Sequence, residues 1–177
     1  MDPAPGEPRH DLGPNRDSTP GSIPGASPQT LNWDFQVRFI DLNASGHLDN
    51  LQILRAVDEA RHRLLGVGEP GAAQLLVGLL EAKPTSVTIL VAAHRVDYRR
   101  ELWFAADPLA IRVWICRLGA SSFDVATEVR QTRDDPLAAV AVTTVVLLDT
   151  AHGSPWPMSA PVRAALAAYL GPAPTLR

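Results

Sequence analysis

Cysteine is nearly absent: Cys116 stands alone in 177 residues. A single thiol excludes an intrachain disulfide and any zinc centre built on cysteines. Long apolar runs are missing too, and none approaches the roughly 20 residues that a transmembrane helix needs. The first 30 residues contain no apolar stretch of the kind that heads a secretory signal. Excess positive charge is also lacking. The 16 Lys and Arg are outnumbered by 19 Asp and Glu, giving a net charge of -3, which argues against duplex nucleic acid as a partner. His94 and His152 form no metal-spaced pair with any other residue, so no metal or cofactor is expected. These absences predict a cytoplasmic protein with neither a membrane nor a nucleic-acid partner.

What remains is ordinary globular material. The hydrophobic fraction is 46%, and a chain of this size can bury about two thirds of its unfolded surface without a covalent staple. Proline is unevenly spread, with seven of the 16 within residues 1–30, where large apolar side chains are almost absent. Such a segment cannot bury enough surface to offset the entropy of ordering it. Residues 1–30 are therefore expected to form a disordered Pro/Gly-rich extension, His10 included, and residues 31–177 a single domain.

Within that domain the hydrophobic period changes along the chain. FQVRFID (35–41) alternates as a short strand does. From Asp49 the period becomes helical, with Leu51, Leu54, Val57, Ala60 and Leu64 on one stripe. Asp49 and Gln52 have the spacing of a capping box, and Gly66 and Gly68 end the helix. Residues 71–82 suggest a second, shorter helix, with a buried loop as the alternative. The stretch 86–149 is rich in β-branched residues and is cut by Asp107-Pro108, by Gly119–Ser121 and by Asp134–Pro136, predicting four strands in a meander. LAAVAVTTVVLLD (137–149) is almost wholly apolar and should be central. PVRAALAAYL (161–170) reads as a terminal helix with Pro161 in its first turn. One long helix on one antiparallel sheet is an α+β layer arrangement. Its open edge would be covered most economically by dimerisation.

The stretch VRFIDLNASGHLDNLQILRAVDEAR (37–61) resembles the start of the 4-hydroxybenzoyl-CoA thioesterase-type hotdog proteins, whose common form is near VRxxDxDxxGHVNNxxYLxxxEEAR. Val37, Arg38, Asp41, Gly46, His47, Asn50, Leu54, Glu59, Ala60 and Arg61 match it. HRVDYRREL (94–102) and DPLAIRVWICRLGASSF (107–123) resemble the family's later strands, so the likeness spans roughly residues 33–150. The resemblance implies a hotdog fold, an antiparallel sheet wrapped around one long helix. It also implies a homodimer, with pairing of dimers into tetramers left open, and hydrolysis of acyl-CoA to free acid and CoA.

The resemblance puts an oxyanion hole at the loop-to-helix junction, on Gly46, Asp49 and Asn50. That is chemically reasonable, because a helix start presents unpaired N–H groups and a favourable dipole to developing negative charge. The chain departs from the pattern at residue 43. The family usually carries an Asp there as nucleophile or base, whereas Asn43 is a neutral amide that cannot take up a proton near pH 7. Asn43 is then expected to orient a water or donate to the carbonyl. The base would come from His47, an imidazole of the kind most often used as a general base, or from a carboxylate.

Other hotdog enzymes use a carboxylate on the helix, which makes Glu59 a candidate; its alternative is a solvated i,i+4 pair. Asp49 also has a capping explanation, and Asp41 is expected to brace the loop by accepting backbone hydrogen bonds. Arg99 and Arg100 could meet CoA phosphates, or could simply guard a strand edge. Ser121 and Ser122 match a family position near CoA and would equally serve as turn residues. The rival reading is a non-catalytic hotdog protein that binds acyl-CoA or only dimerises.

Overall fold

The computed structural model describes residues 28–66 and 78–177. Most of the expected N-terminal extension therefore lies outside the described residues. The elements run β1 (Leu31–Phe35), α1 (Asn50–Leu65), β2 (Val87–Tyr98), β3 (Leu109–Leu118), β4 (Ser122–Arg130), β5 (Ala139–Asp149), β6 (Ser154–Pro155) and α2 (Ala160–Ala167). The strands form one antiparallel sheet in the order β1-β3-β4-β5-β2, with β6 extending β5. The α+β class and the hotdog architecture that the resemblance implies are present, with one long helix among the described residues.

Helix α1 forms where the sequence offers sixteen residues free of Gly and Pro between two stop signals. Asp49 caps its start, the carboxylate accepting from Leu51 N–H at 2.8 Å. Gly66 ends it with φ +74° and donates to His62 O. Gly78 backs directly onto Gly66, leaving no room for a Cβ. Ile53, Ala56, Val57, Ala60, Leu64 and Leu65 form the buried face, which lies against β3 and β4. The expected stripe is thus rotated, and Leu51 is exposed. Arg61 shares the buried face and donates to Asp58 one turn back. Of the capping box only the Asp49 half is present; Gln52 Oε1 is buried with no partner among the described residues.

Two further expectations need correction. The strand expected over 35–41 ends at Phe35, and Phe39–Asp41 form a 3₁₀ turn. The cause is local: Asp41 accepts from Arg38 N–H at 2.8 Å, from Nε at 3.2 Å and from Nη2 at 2.7 Å, which curls the chain. The meander covers only β3-β4-β5, because β2 crosses the sheet to pair with β5, from Val87↔Asp149 to Tyr98↔Ala139. Of the expected second helix, residues 71–77 lie outside the described residues and 79–82 form turns. The apolar strand 139–149 is internal, flanked by β4 and β2, as its composition predicts.

β2 forms the far edge of the sheet and exposes Leu90 and Val91. Alternating residues from β3, β4 and β5, with Val162 and Leu166 of α2, close the core around α1. No helix among the described residues is long and apolar enough to cross a membrane.

Candidate active site

The loop between the 3₁₀ turn and α1 is a small closed unit. Asn43 N–H donates to His47 O at 2.8 Å, and Gly46 N–H to Asn43 O at 3.0 Å. Gly46 has φ +83°, a left-handed conformation that side chains strain to adopt. The Asn43 side chain accepts from Ser45 N–H (2.9 Å) and His47 N–H (3.2 Å). An oxygen must face those two donors, so the amide NH₂ is the end left over for anything else.

Asp41 sits beneath this loop, buried to 1%. The hydrogen bonds from the Arg38 side chain hold its carboxyl below the usual carboxylate range, against the opposing effect of burial. Its backbone carbonyl accepts from Asp49 N–H at 3.0 Å, which fastens the turn to the helix start.

Several N–H groups at the junction are thereby used. Leu48 donates to Leu102 O, Asp49 to Asp41 O, Leu51 to the Asp49 side chain, and Gln52 and Ile53 to Asp49 O. Among residues 48–53, Asn50 N–H alone has no acceptor within the described residues. The expected pair of donors around Asp49 and Asn50 narrows to one free N–H at the first helical position.

The segment after β2 supplies what the loop lacks. β2 ends at Tyr98 because Arg99 and Arg100 both turn their N–H groups onto Ala138 O. The chain then runs beside the loop, with Leu48 N–H on Leu102 O and His47 paired with Trp103. This brings Glu101 Oε1 to 3.3 Å from His47 Nδ1. Trp103 packs edge-on against the imidazole, with ring centroids 4.1 Å apart. A cavity of about 360 Å³ opens here, lined by Asn43, His47, Leu48, Asn50, Ile53, Tyr98, Arg99, Arg100, Glu101 and Leu102.

Asn43, His47, Asn50, Arg99 and Arg100 thus meet at one cavity, with Gly46 and Asp49 in the adjoining backbone. Glu59 does not line it. It pairs with Arg55 (3.2 Å), nine residues along α1 from Asn50, or about 13 Å of helix rise. Ser121 and Ser122 lie in the β3–β4 hairpin, whose register (Ser122↔Val146↔Leu90) puts it toward the other end of the sheet from Tyr98. Glu101, Tyr98 and Trp103 were not expected. The visible signal was the charged Arg99-Arg100-Glu101 triplet closing an apolar strand. Its pairing with the loop is non-local. Cys116 plays no part: it lies in β3, and burial raises its thiol to about 11. No group of three or more His, Cys, Asp or Glu among the described residues could hold a metal ion.

Known structures share this fold. A thioesterase from Thermus thermophilus, solved with coenzyme A and Zn, is 28% identical, with TM-score 0.60 over 78% of this chain and 92% of that one. A predicted thioesterase from Bacillus stearothermophilus is 15% identical, with TM-score 0.67 over 82% of this chain and 100% of that one. A 1,4-dihydroxy-2-naphthoyl-CoA thioesterase from Synechocystis is 19% identical, with TM-score 0.61 over 78% and 96%. No curated protein matches the sequence. The family model described as the thioesterase-like superfamily matches residues 37–166, nearly the whole stretch from the 3₁₀ turn to α2. The chain belongs to the thioesterase-like superfamily and has its hotdog fold.

Proposed function

We propose that the protein is a thioester hydrolase that converts an acyl-CoA to free acid and CoA. One observation carries this reading: the Glu101–His47 pair stands on the same cavity as the unused Asn50 N–H. Hydrolysis needs a base for water and a donor where the carbonyl oxygen gains charge. Glu101 at Nδ1 favours the tautomer with its proton there, leaving Nε2 as the basic nitrogen. His47 takes a proton from water as the oxygen adds to the thioester carbon. Asn50 N–H and the positive end of α1 meet the oxyanion. The tetrahedral intermediate then expels the thiolate, which His47 protonates. Asn43 cannot serve as base, since its amide oxygen is occupied by two N–H groups. Its NH₂ is a donor for the carbonyl or the water.

The homodimer belongs to the same reading. β2 has a paired side toward β5 and an open side, with Leu90 and Val91 exposed. Antiparallel pairing of β2 with a second copy would cover that edge. It would also bring the Ser121–Ser122 hairpin of one copy toward the cavity of the other, because the two lie at opposite ends of the sheet. Arg99 and Arg100 are then the cationic side of a CoA site.

The alternative is a protein that binds acyl-CoA without cleaving it; the Asn43 amide oxygen, engaged by two backbone N–H groups, makes that side chain a loop brace where a base would be needed. Purified protein assayed on short, long and aromatic acyl-CoAs decides the matter, with Asn43→Ala and Asn43→Asp alongside. Hydrolysis that Asn43→Ala weakens supports the enzyme. Activity that arises only in Asn43→Asp supports the binder.

A further inference from the structure

The face of the sheet turned away from α1 carries a second apolar layer. Trp114, Ala126, Val140 and Val142 are only 5%, 0%, 1% and 4% exposed, yet all stand outside the main core. They alternate with the core-facing Val113, Val125 and Ala141, as strand geometry demands. Register lines them up across the sheet: Trp114↔Ala126↔Val142 on β3, β4 and β5, and Val140 beside Asp97 on β2.

The segment after α2 runs along this layer. Tyr169 O and Gly171 N–H bond the backbone of Ile115, where β1 no longer covers the β3 edge. Pro172 O accepts from Trp114 Nε1 at 2.9 Å, and Gly171 packs against the same ring. At the far side Arg177 N–H donates to Asp97 Oδ2 (2.6 Å), and Thr175 O accepts from Arg99 Nη2 (2.6 Å).

The strand spacings suit an extended strap. From β3 to β2 there are three strand spacings, or about 14 Å. Five residues of polyproline-like chain span about 15 Å. Pro172 and Pro174 favour that extended form.

Arg99 is therefore tied through its Nη2, which donates to Thr175 O and forms an ion pair with Asp97 at 3.8 Å, and the residue also lines the cavity with His47 and Asn43. We infer that the strap Gly171–Arg177 is a positioning element that holds Arg99 at the cavity and thereby sets affinity for the anionic CoA portion of the ligand, an inference that rests on the acyl-CoA reading above. A held guanidinium loses less freedom when it binds phosphate than a loose one does. Anchorage over three strands would thus be felt in binding, not in the chemical step.

The test is a double-mutant cycle on the full-length protein, read by calorimetric Kd for CoA and by KM and kcat for a cleaved acyl-CoA. Truncation before Ala173 removes the tether, Trp114→Phe removes the Pro172 hydrogen bond at its distant end, and Arg99→Gln removes its target. Truncation and Arg99→Gln are each expected to weaken CoA about tenfold, Trp114→Phe about threefold, with kcat within about twofold. In the Arg99→Gln background the other two changes should add nothing. If truncation prevents folding, Trp114→Phe completes the cycle. Fully additive losses, or unchanged affinity in every variant, overturn the inference and leave the functional reading intact. Wild-type protein that neither binds CoA nor cleaves any acyl-CoA overturns both.

Discussion

The turn at 38–41 and the segment at 99–103 flank the same loop, and each carries a carboxylate beside it. Asp41 is buried and receives three N–H groups from Arg38. Glu101 is 62% exposed at its side chain and faces a single imidazole. The first carboxylate is saturated, so it fixes shape. The second keeps acceptor capacity beside an imidazole at a cavity, where on the proposed mechanism it orients the base. Carboxylates on either side of one loop are thus sorted by what already satisfies them.

The sharpest way to break this comparison is at His47. On the proposed mechanism His47→Ala should lower kcat/KM by roughly 10²–10⁴ in a thioester assay while thermal melting stays close to wild type. Glu101→Gln removes the charge but keeps an acceptor toward Nδ1. It should lower kcat about tenfold with little change in KM, as expected of a residue that orients a base and does not bind the substrate. Asp41→Ala should behave in the opposite sense, acting on stability. Losing the acceptor for Arg38 N–H should cost about 1 kcal/mol in urea unfolding, since the Arg38 side chain is itself exposed.

A pH series sharpens the same contrast. The Asp41 carboxyl is held below its ordinary value of 3.8, so the folded state favours its ionised form. Its contribution is complete above that value and is lost as pH falls through the lowered one. Wild type should therefore lose stability on acidification from about pH 4, and Asp41→Ala should show a shallower loss over the same range.

The loop was legible because its signals are local. Gly46 is required by a positive φ, and Asp49 caps because its carboxylate reaches two residues along the chain. Helix α1 was legible as a period, but the direction of its buried face was not. That direction follows from β3 and β4, and Leu51, although in phase with the apolar stripe, points to solvent. The crossing of β2 to β5 was hidden for a related reason: alternation says which face a residue takes, not which strand it pairs with. Glu101 was missed because it reaches His47 through a pairing of segments more than fifty residues apart. The free N–H of Asn50 appears only once each neighbouring donor has found its acceptor.

That N–H offers the most direct test of where the carbonyl oxygen is held. Proline is well tolerated at the first position of a helix, and Asp49 already has the extended conformation that precedes proline. Asn50→Pro should therefore delete the donor while α1 remains folded, and Asn50→Ala deletes only the side chain. With acyl-CoA hydrolysis as the readout, the account predicts a kcat loss of about 10²–10³ in Asn50→Pro and a much smaller one in Asn50→Ala, at similar melting temperatures. Equal activity in the two variants would contradict it.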